Sequence, residues 1–225
     1  IDTFTPLNLN AYLAARSAVD CALTAAEKVL EGADLAYALV RPPGHHAYGN
    51  RCGGFCYLNN TALAAQHLRA AHERVAILDF DVHLGNGTED IFKDDRRVLL
   101  CSSYQYPLWP DMNPPTRPGR VVNCPLPPGS GSDAFRAAVQ QQWLPALETF
   151  APQLLLISAG FDAHGADDMS HLRFTTADYA WVTEVACGIA DRHAQGRIVS
   201  TLEGGYELRS LAASAAAHIE KLVFA

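Results

Sequence analysis

Residue types that can do chemistry gather in four short segments, each of which follows a predicted buried strand. In open parallel sheets, ligands bind at the carboxyl ends of the strands. A single histidine after a strand is most often structural, but four such segments together favour one shared active site. The four segments are Gly44-His45-His46, Asp79-Phe80-Asp81-Val82-His83, Gly160-Phe161-Asp162-Ala163-His164 and Glu203-Gly204-Gly205-Tyr206.

The spacing of Asp81 and His83 suits a metal site, because residues two apart in an extended segment face the same side. Asp162 would supply a third ligand from another strand end. Two carboxylates and one imidazole, with a position left for water, are typical of a catalytic divalent metal, zinc among others. The alternatives are that an aspartate caps a helix or pairs with an arginine. His164 could also bind metal, but a loop histidine is the simpler interpretation.

Acid–base chemistry is indicated by the adjacent pair His45 and His46, since buried imidazole nitrogens need hydrogen bonds. Two histidines beside a water polarised by the metal could act as general base and general acid. Asp79 could partner one of them and raise its basicity, and Asn86 could hold the other without adding charge. Tyr206 follows two glycines, so its hydroxyl could polarise a carbonyl; a tyrosine packed on the sheet edge is the alternative.

Alternating strands and helices must position these residues. The pattern predicts a single α/β domain over residues 1–225, with a mostly parallel sheet flanked by helices. Ser132 is expected to cap one helix, and another helix is expected to begin after Thr175. The predicted strands are 36–40, 75–80, 98–102, 121–124, 154–158 and 198–202, and the predicted helices are 10–31, 59–72, 89–92, 132–149, 175–193 and 207–223.

Composition narrows the class of protein. The 225 residues are 49% hydrophobic and 18% charged, which is typical of a folded globular chain. The net charge of -7 and the lack of a Lys/Arg run argue against nucleic acid as a direct partner. The apolar runs are too short to span a membrane. Six scattered cysteines without a CxxC pair indicate reduced thiols and a cytoplasmic protein.

Six ordered motifs resemble the zinc-dependent histone deacetylase family, above all its bacterial and class II-like branch, which shares an α/β fold with the arginases. The likeness runs from about Asp2 to the C-terminus. It implies an amide hydrolase that converts an acetyl-lysine or an acetylpolyamine type of substrate to acetate and a free amine. The motifs are Arg41-Pro42-Pro43-Gly44-His45-His46-Ala47, Gly54-Phe55-Cys56-Tyr57-Leu58-Asn59-Asn60, Asp79-Phe80-Asp81-Val82-His83, Gly85-Asn86-Gly87-Thr88, Ser158-Ala159-Gly160-Phe161-Asp162-Ala163-His164 and Glu203-Gly204-Gly205-Tyr206.

The resemblance also implies roles for individual residues. The implied zinc ligands are Asp81, His83 and Asp162. The implied catalytic residues are His45 backed by Asp79, His46 backed by Asn86, and Tyr206 on the scissile carbonyl. The implied ligands of a structural potassium ion, some through main-chain oxygens, are Asp79, Asp81, His83, Ser102 and Ser103. The implied substrate-binding residues are Asp2 at the rim, Gly54, Phe55 and Trp109 along the tunnel, and Gly204.

Two other functions stay open at this point. A two-metal manganese ureohydrolase of the arginase type would need more ligands, with Asp79 and His164 joining in. A non-catalytic binding protein could keep the fold without the chemistry. The family usually has a further stretch before Asp2 that includes its first strand. Because the chain begins at Ile1 and not at methionine, we expect an incomplete N-terminus, and an exposed sheet edge would favour a homo-oligomer.

Overall fold

The sheet is built from apolar runs that the sequence places between helices. The computed structural model describes residues 1–72 and 74–224. Within that part of the chain the strands are β1 (Leu35–Ala38), β2 (Val75–Asp79), β3 (Val98–Gln105), β4 (Val121–Leu126), β5 (Leu154–Ala159) and β6 (Ile198–Leu202). They form one sheet in the order β1-β6-β5-β2-β3-β4, and every neighbouring pair is parallel. The predicted fold class is confirmed.

Helices cover both faces of this sheet. Alternate side chains of a strand point to opposite faces, so Ala76 and Leu78 pack in one apolar cluster while Val75 and Ile77 pack in another. The helices are α1 (Ala11–Leu30), α2 (Asn60–Leu68), α3 (Asn86–Phe92), α4 (Ser132–Ala138), α5 (Leu144–Phe150), α6 (Thr176–Ile189) and α7 (Leu208–Phe224). In the described residues no helix is both long and apolar enough to cross a membrane.

Several predicted boundaries are corrected by long-range pairing. The pairing of β1 with β6 ends at Ala38, two residues before the predicted end, and Leu39 turns outward with 65% of its surface exposed. β3 continues to Gln105 because β4 pairs with it that far. The predicted helix 132–149 is divided by a π-helical segment, Val139–Trp143. A second such segment, Ala190–Ala194, follows α6.

The prediction that Ser132 caps a helix is wrong. Gly131 occupies the N-cap position of α4, and Ser132 is the first helical residue. The hydroxyl of Ser132 donates instead to Asp178 Oδ2 on α6, at 2.7 Å, so it joins two helices. Thr175 does precede α6, where it forms a reciprocal capping box with Asp178.

A buried histidine of α7, His218, lies between α6 and the sheet. His218 Nε2 is 2.9 Å from Ser200 Oγ, and His218 Nδ1 is 2.6 Å from Thr183 Oγ1. Both partners are hydroxyls and neither is a carboxylate. Burial therefore lowers the pKa of His218 to about 3, and the imidazole is neutral in the folded protein.

We expect His218→Gln to make the stability of the chain less sensitive to acid. The folded-state pKa lies below the value of 6.5 for an unperturbed histidine, so the unfolded chain takes up the proton first. The stability that depends on neutral His218 is thus complete above that unfolded value and is lost as the pH falls towards the folded value. Between pH 7 and pH 5 the wild type should lose about 2 kcal/mol through this residue.

Urea unfolding at the two pH values measures this difference. His218→Gln should lower stability at pH 7 but reduce the further loss at pH 5, whereas His171→Gln, a change at an exposed histidine, should leave that loss as in the wild type. An equal loss of unfolding free energy between pH 7 and pH 5 in wild type and His218→Gln would contradict the prediction.

Candidate active site

Three loops meet at the carboxyl edge of the sheet, where β2, β5 and β6 lie side by side. Phe161 N donates to Gly204 O at 2.8 Å, which joins the loops after β5 and β6. Val82 N donates to Asp162 Oδ1 at 2.9 Å, which joins the loops after β2 and β5. The structure thus brings together three of the segments that the sequence singles out.

Asp81, His83 and Asp162 form a compact buried cluster at this edge. One possible ligand atom from each side chain lies within 4.8 Å of the others. His83 Nδ1 is 3.1 Å from Asp81 Oδ1 and 3.1 Å from Asp162 Oδ2, yet Asp162 Oδ2 accepts no hydrogen bond of good geometry. A buried oxygen of this kind, beside a second carboxylate and an imidazole, fits a divalent metal. In the rest of the described chain no other such group of three is found.

The charges of this cluster favour a cation at its centre. Burial by itself lowers the pKa of His83, but Asp162 and Asp81 outweigh it and raise that pKa to about 10. Burial tends to raise the pKa of Asp81, whereas His45 and His83 pull it below its usual value. For Asp162, burial and the charge of Asp81 raise the pKa. Both carboxylates lie against the imidazole of His83, and a bound dication at this place would balance their negative charge.

The histidine pair lies beside the cluster, with the ring centroids of His45 and His46 3.9 Å apart. His45 Nδ1 is 3.0 Å from Asp79 Oδ2. His46 Nδ1 is 2.8 Å from Asn86 Oδ1, which also accepts from Gly87 N at 3.1 Å. Since that amide oxygen accepts, His46 Nδ1 carries the proton and its Nε2 holds a free lone pair.

The two imidazoles differ in proton affinity. Burial lowers the pKa of His45, but Asp81 and Asp79 reverse the effect and hold it well above the usual value. Burial also lowers the pKa of His46, and the neighbouring positive charges of His45 and His83 lower it further. Adjacent groups whose pKa values are pushed apart are typical of an acid–base pair.

A buried carboxylate that the sequence analysis left without a role holds the histidine segment. Glu203 Oε2 accepts from Gly44 N at 2.7 Å and from His45 N at 3.1 Å. Its Oε1 accepts from Ser158 Oγ at 3.2 Å and Thr61 Oγ1 at 3.3 Å. Burial raises the pKa of Glu203 to about 7. The signal in the sequence was an acidic residue placed directly after the predicted strand 198–202.

A pocket of about 370 Å³ leads from the protein surface to the histidines. Gly54, Phe55, Trp109 and Tyr206, all singled out from the sequence, line it. Trp109 packs edge-to-face on His46, with ring centroids 4.6 Å apart. Its further lining residues are His46 and His83, together with three that the sequence analysis missed, Phe4, Leu108 and Met169.

Tyr206 borders this pocket with 38% of its surface exposed. Its ring lies beside Phe55, at 5.7 Å between centroids. Burial of the hydroxyl end, together with the negative charges of Asp162 and Asp81, raises the pKa of Tyr206 far above its usual value. The phenol therefore stays protonated and can donate a hydrogen bond.

Asp2 and Gly204 occupy different places. Asp2 Oδ2 accepts from Gly54 N at 3.0 Å, so this exposed carboxylate lies next to the pocket wall. Gly204 N donates to Asp81 Oδ2 at 2.8 Å, and a Cβ at Gly204 would lie 2.5 Å from Asp162 Oδ2. Gly204 thus lies against the carboxylates of the cluster, where a side chain would not fit.

The predicted potassium ligands lie on β2, on the neighbouring strand β3 and in the loop after β2. Asp79 pairs in register with Ser102 across β2 and β3. The hydroxyls of Ser102 and Ser103 are buried without a hydrogen-bond partner. Adjacent residues of a strand point to opposite faces, so the hydroxyl of Ser102 is the one that faces the same side as Asp79. A hydroxyl oxygen beside a buried carboxylate fits a hard cation. His164 behaves as a loop histidine, because its Nδ1 accepts from Ala166 N at 3.1 Å.

A parallel sheet covered on both faces, with a buried Asp–His–Asp cluster at its carboxyl edge, defines an α/β protein with a candidate metal centre. Residues 2–222 match the family model of the histone deacetylase domain, and the chain belongs to this family. The family resemblance that the motifs indicate is confirmed.

Several similar proteins carry deacetylase or amidohydrolase names. The chain is 40% identical to a probable deacetylase of Archaeoglobus fulgidus, over 92% of this chain and 59% of that protein. It is 40% identical to a histone deacetylase-like amidohydrolase of Pseudomonas aeruginosa, over 89% of this chain and 56% of that protein. The crystal structure of an acetylpolyamine aminohydrolase from Burkholderia pseudomallei matches with a TM-score of 0.90 and 38% identity, over 99% of this chain and 66% of the other. The chain thus spans less than two thirds of each of these relatives.

Proposed function

We propose that the chain is a zinc-dependent deacetylase that hydrolyses an acetylated amine to acetate and a free amine. The observation that carries this proposal is the buried Asp81–His83–Asp162 cluster next to a pocket that His46, His83 and Tyr206 line. Candidate metal ligands, a candidate proton acceptor and a candidate hydroxyl donor therefore lie around one small volume. Hydrolysis of an amide needs these three functions together.

The shape of the pocket supports the substrate class. Phe55 and Trp109 form apolar walls that suit the alkyl chain of an acylated amine, while the polar groups lie at the inner end. An acetylated lysine side chain and an acetylated polyamine present the same alkyl–amide end. Relatives named acetylpolyamine aminohydrolase and histone deacetylase-like amidohydrolase agree with both.

Asp81, His83 and Asp162 would hold the zinc ion, which supplies Lewis acidity that polarises the amide carbonyl and acidifies the attacking water. His46 lines the pocket with its Nε2 lone pair free, so it can accept the proton of that water. Asn86 fixes the ring, and Asp79 stabilises positive charge on the adjacent His45. The proton held by the pair then passes to the nitrogen of the leaving amine.

The hydroxyl of Tyr206 donates a hydrogen bond to the carbonyl oxygen as negative charge develops on it. Its raised pKa keeps this proton in place at neutral pH. We propose that the chain also holds a structural potassium ion through Asp79 and the hydroxyl of Ser102, with Ser103 contributing a main-chain oxygen. This ion would balance the buried negative charge near the histidine pair.

The test is release of acetate by the zinc-loaded chain from an acetyl-lysine peptide and from an acetylated polyamine. We expect hydrolysis of at least one of them, inhibited by a zinc chelator. Two metal ions per chain with hydrolysis of a guanidino substrate would favour the manganese ureohydrolase instead. A folded chain that binds no metal and hydrolyses none of these substrates would favour a binding protein.

We expect Gly54→Ala to weaken substrate use by narrowing the pocket. Gly54 has a φ of +58°, and an added Cβ would collide with the Trp109 ring and lie 2.8 Å from His46 Cδ2. One extra carbon in a shaped pocket changes kcat/KM by roughly 10–200-fold. Steady-state kinetics on the acetylated substrate measure the loss. Gly49→Ala is the matched control, because its Cβ would meet open space; equal kcat/KM values for the two variants would contradict this role of Gly54.

A further inference from the structure

The main chain at Tyr206 is held by a carboxylate on another loop. Asp167 Oδ2 accepts from Tyr206 N at 2.7 Å and from Glu207 N at 3.0 Å. Its other oxygen, Oδ1, accepts from Met169 N at 3.1 Å. Only 5% of the surface of Asp167 is exposed. A buried carboxylate that accepts hydrogen bonds from several main-chain N–H groups makes strong charge-assisted hydrogen bonds. These bonds therefore fix the main chain at Tyr206 and Glu207 on one side of the carboxylate and at Met169 on the other.

The loop that carries Asp167 is itself well anchored. Asp167 N donates to His164 O at 2.8 Å. Gly165 N donates to Phe174 O at 2.8 Å, and Phe174 N donates to Ala163 O at 3.0 Å. This loop begins directly after Asp162 of the Asp81–His83–Asp162 cluster. Asp167 therefore ties the Tyr206 segment to the same rigid loop that places a predicted metal ligand.

The Tyr206 side chain follows a turn at the edge of the pocket. Gly205, immediately before it, has a φ of +139°, a conformation that costs glycine little and that allows the chain to turn. The ring is partly exposed and lies beside Phe55, with ring centroids 5.7 Å apart. The position of the hydroxyl therefore depends on where the backbone of Tyr206 is held. Met169, on the opposite side of the same carboxylate, also lines the pocket.

We propose that Asp167 is a positioning residue for the deacetylase reaction. Asp167 binds the N–H groups of Tyr206, Glu207 and Met169. It thereby fixes the Tyr206 hydroxyl at the distance from the Asp81–His83–Asp162 cluster that the scissile carbonyl requires. It also holds two walls of the pocket, at Tyr206 and Met169, in one arrangement. This inference rests on the proposed function, since it assigns the purpose of the contact to Tyr206 chemistry.

The test is a double-mutant cycle in the zinc-loaded chain, with kcat and KM measured for wild type, Asp167→Ala, Tyr206→Phe and the double variant. We expect Asp167→Ala to lower kcat roughly 10–100-fold, as a displacement of about 1 Å at a reacting group does, with KM changed less than about threefold. In the Tyr206→Phe background the same change should cost less than about twofold, because the displaced hydroxyl is already absent. Equal losses in both backgrounds would overturn the proposal.

Conservative and matched variants separate positioning from folding. Asp167→Asn keeps one acceptor oxygen and should recover part of the lost kcat. Asp168→Ala, at the exposed neighbouring aspartate, should leave kcat and KM as in the wild type. Failure of Asp167→Asn to exceed Asp167→Ala in kcat, at equal zinc content and thermal stability, would count against positioning.

A readout without activity keeps this inference distinct from the proposed function. Amide hydrogen exchange of the peptide 203–210 should be faster in Asp167→Ala than in wild type, while exchange in β2 and β5 should be unchanged. Unchanged amide hydrogen exchange at 203–210 would overturn the positioning role of Asp167, whatever the activity of the variant. A wild type that hydrolyses no acetylated amine would instead overturn the proposed function. The purpose assigned to Asp167 would then fall as well, even if Asp167→Ala changes the amide exchange as expected.

Discussion

The Asp162→Ala chain should bind no zinc after reconstitution and dialysis, and its hydrolysis of acetylated amines should fall to the background rate. Asp162 supplies one of the three clustered atoms that could bind a metal ion, and its buried Oδ2 lacks a hydrogen bond of good geometry. Its removal leaves Asp81 and His83 with one negative charge between them, where the wild type has two. The two remaining ligands are fewer than the three protein ligands of a catalytic zinc site.

Metal content per chain, measured on wild type and variant in parallel, decides this prediction. The loss of the carboxylate also leaves Val82 N without its acceptor, so circular dichroism should accompany the metal analysis. Asp168→Ala, an exposed aspartate in the same loop, is the matched control and should retain one zinc. A folded Asp162→Ala chain that retains the wild-type zinc content would contradict the ligand assignment.

Replacing Tyr206 by phenylalanine should lower kcat roughly 10²–10³-fold, the cost of removing one oxyanion donor. The phenol lines the pocket and stays protonated, since burial and the charges of Asp162 and Asp81 raise its pKa. Its hydrogen bond strengthens only as the carbonyl oxygen gains charge, so KM should change little. The ring remains, so its contact with Phe55 and the shape of the pocket are preserved.

Initial rates over a range of substrate concentrations, on chains of equal zinc content, give kcat and KM separately. Tyr12→Phe removes a hydroxyl from a tyrosine that is 63% exposed on α1 and should have no effect. A loss of kcat smaller than about fivefold in Tyr206→Phe would count against an oxyanion role.

The strands that carry the site could be predicted from the sequence because a strand covered on both faces needs a continuous apolar run. The runs at 75–80 and 154–158 match β2 and β5 closely. Since the carboxyl ends of parallel strands share one edge, the sequence predicted that Asp81, His83 and Asp162 meet there, and in the structure they do. The chemistry that this cluster performs stays a prediction until metal and substrate are tested.

Element ends were less predictable, because local patterns compete with contacts between distant residues. Ser132 has the right residue type for a cap, but Asp178 on α6 takes its hydroxyl. The apolar run 36–40 does not end at Ala38, yet β1 does, because its pairing with β6 stops there. Neither outcome has a signal within a few residues of the position concerned.

By itself the sequence determined the family, the parallel sheet and the residue types at its carboxyl edge, because hydrophobic periodicity and motif order are local properties of the chain. Only the tertiary structure decided which main-chain N–H groups the buried carboxylates of Glu203 and Asp167 bind. Glu203 accepts from Gly44, 159 positions away, and Asp167 accepts from Tyr206, 39 positions away. No periodic pattern specifies which main-chain N–H a distant carboxylate meets, since that depends on how the loops pack once the sheet has formed.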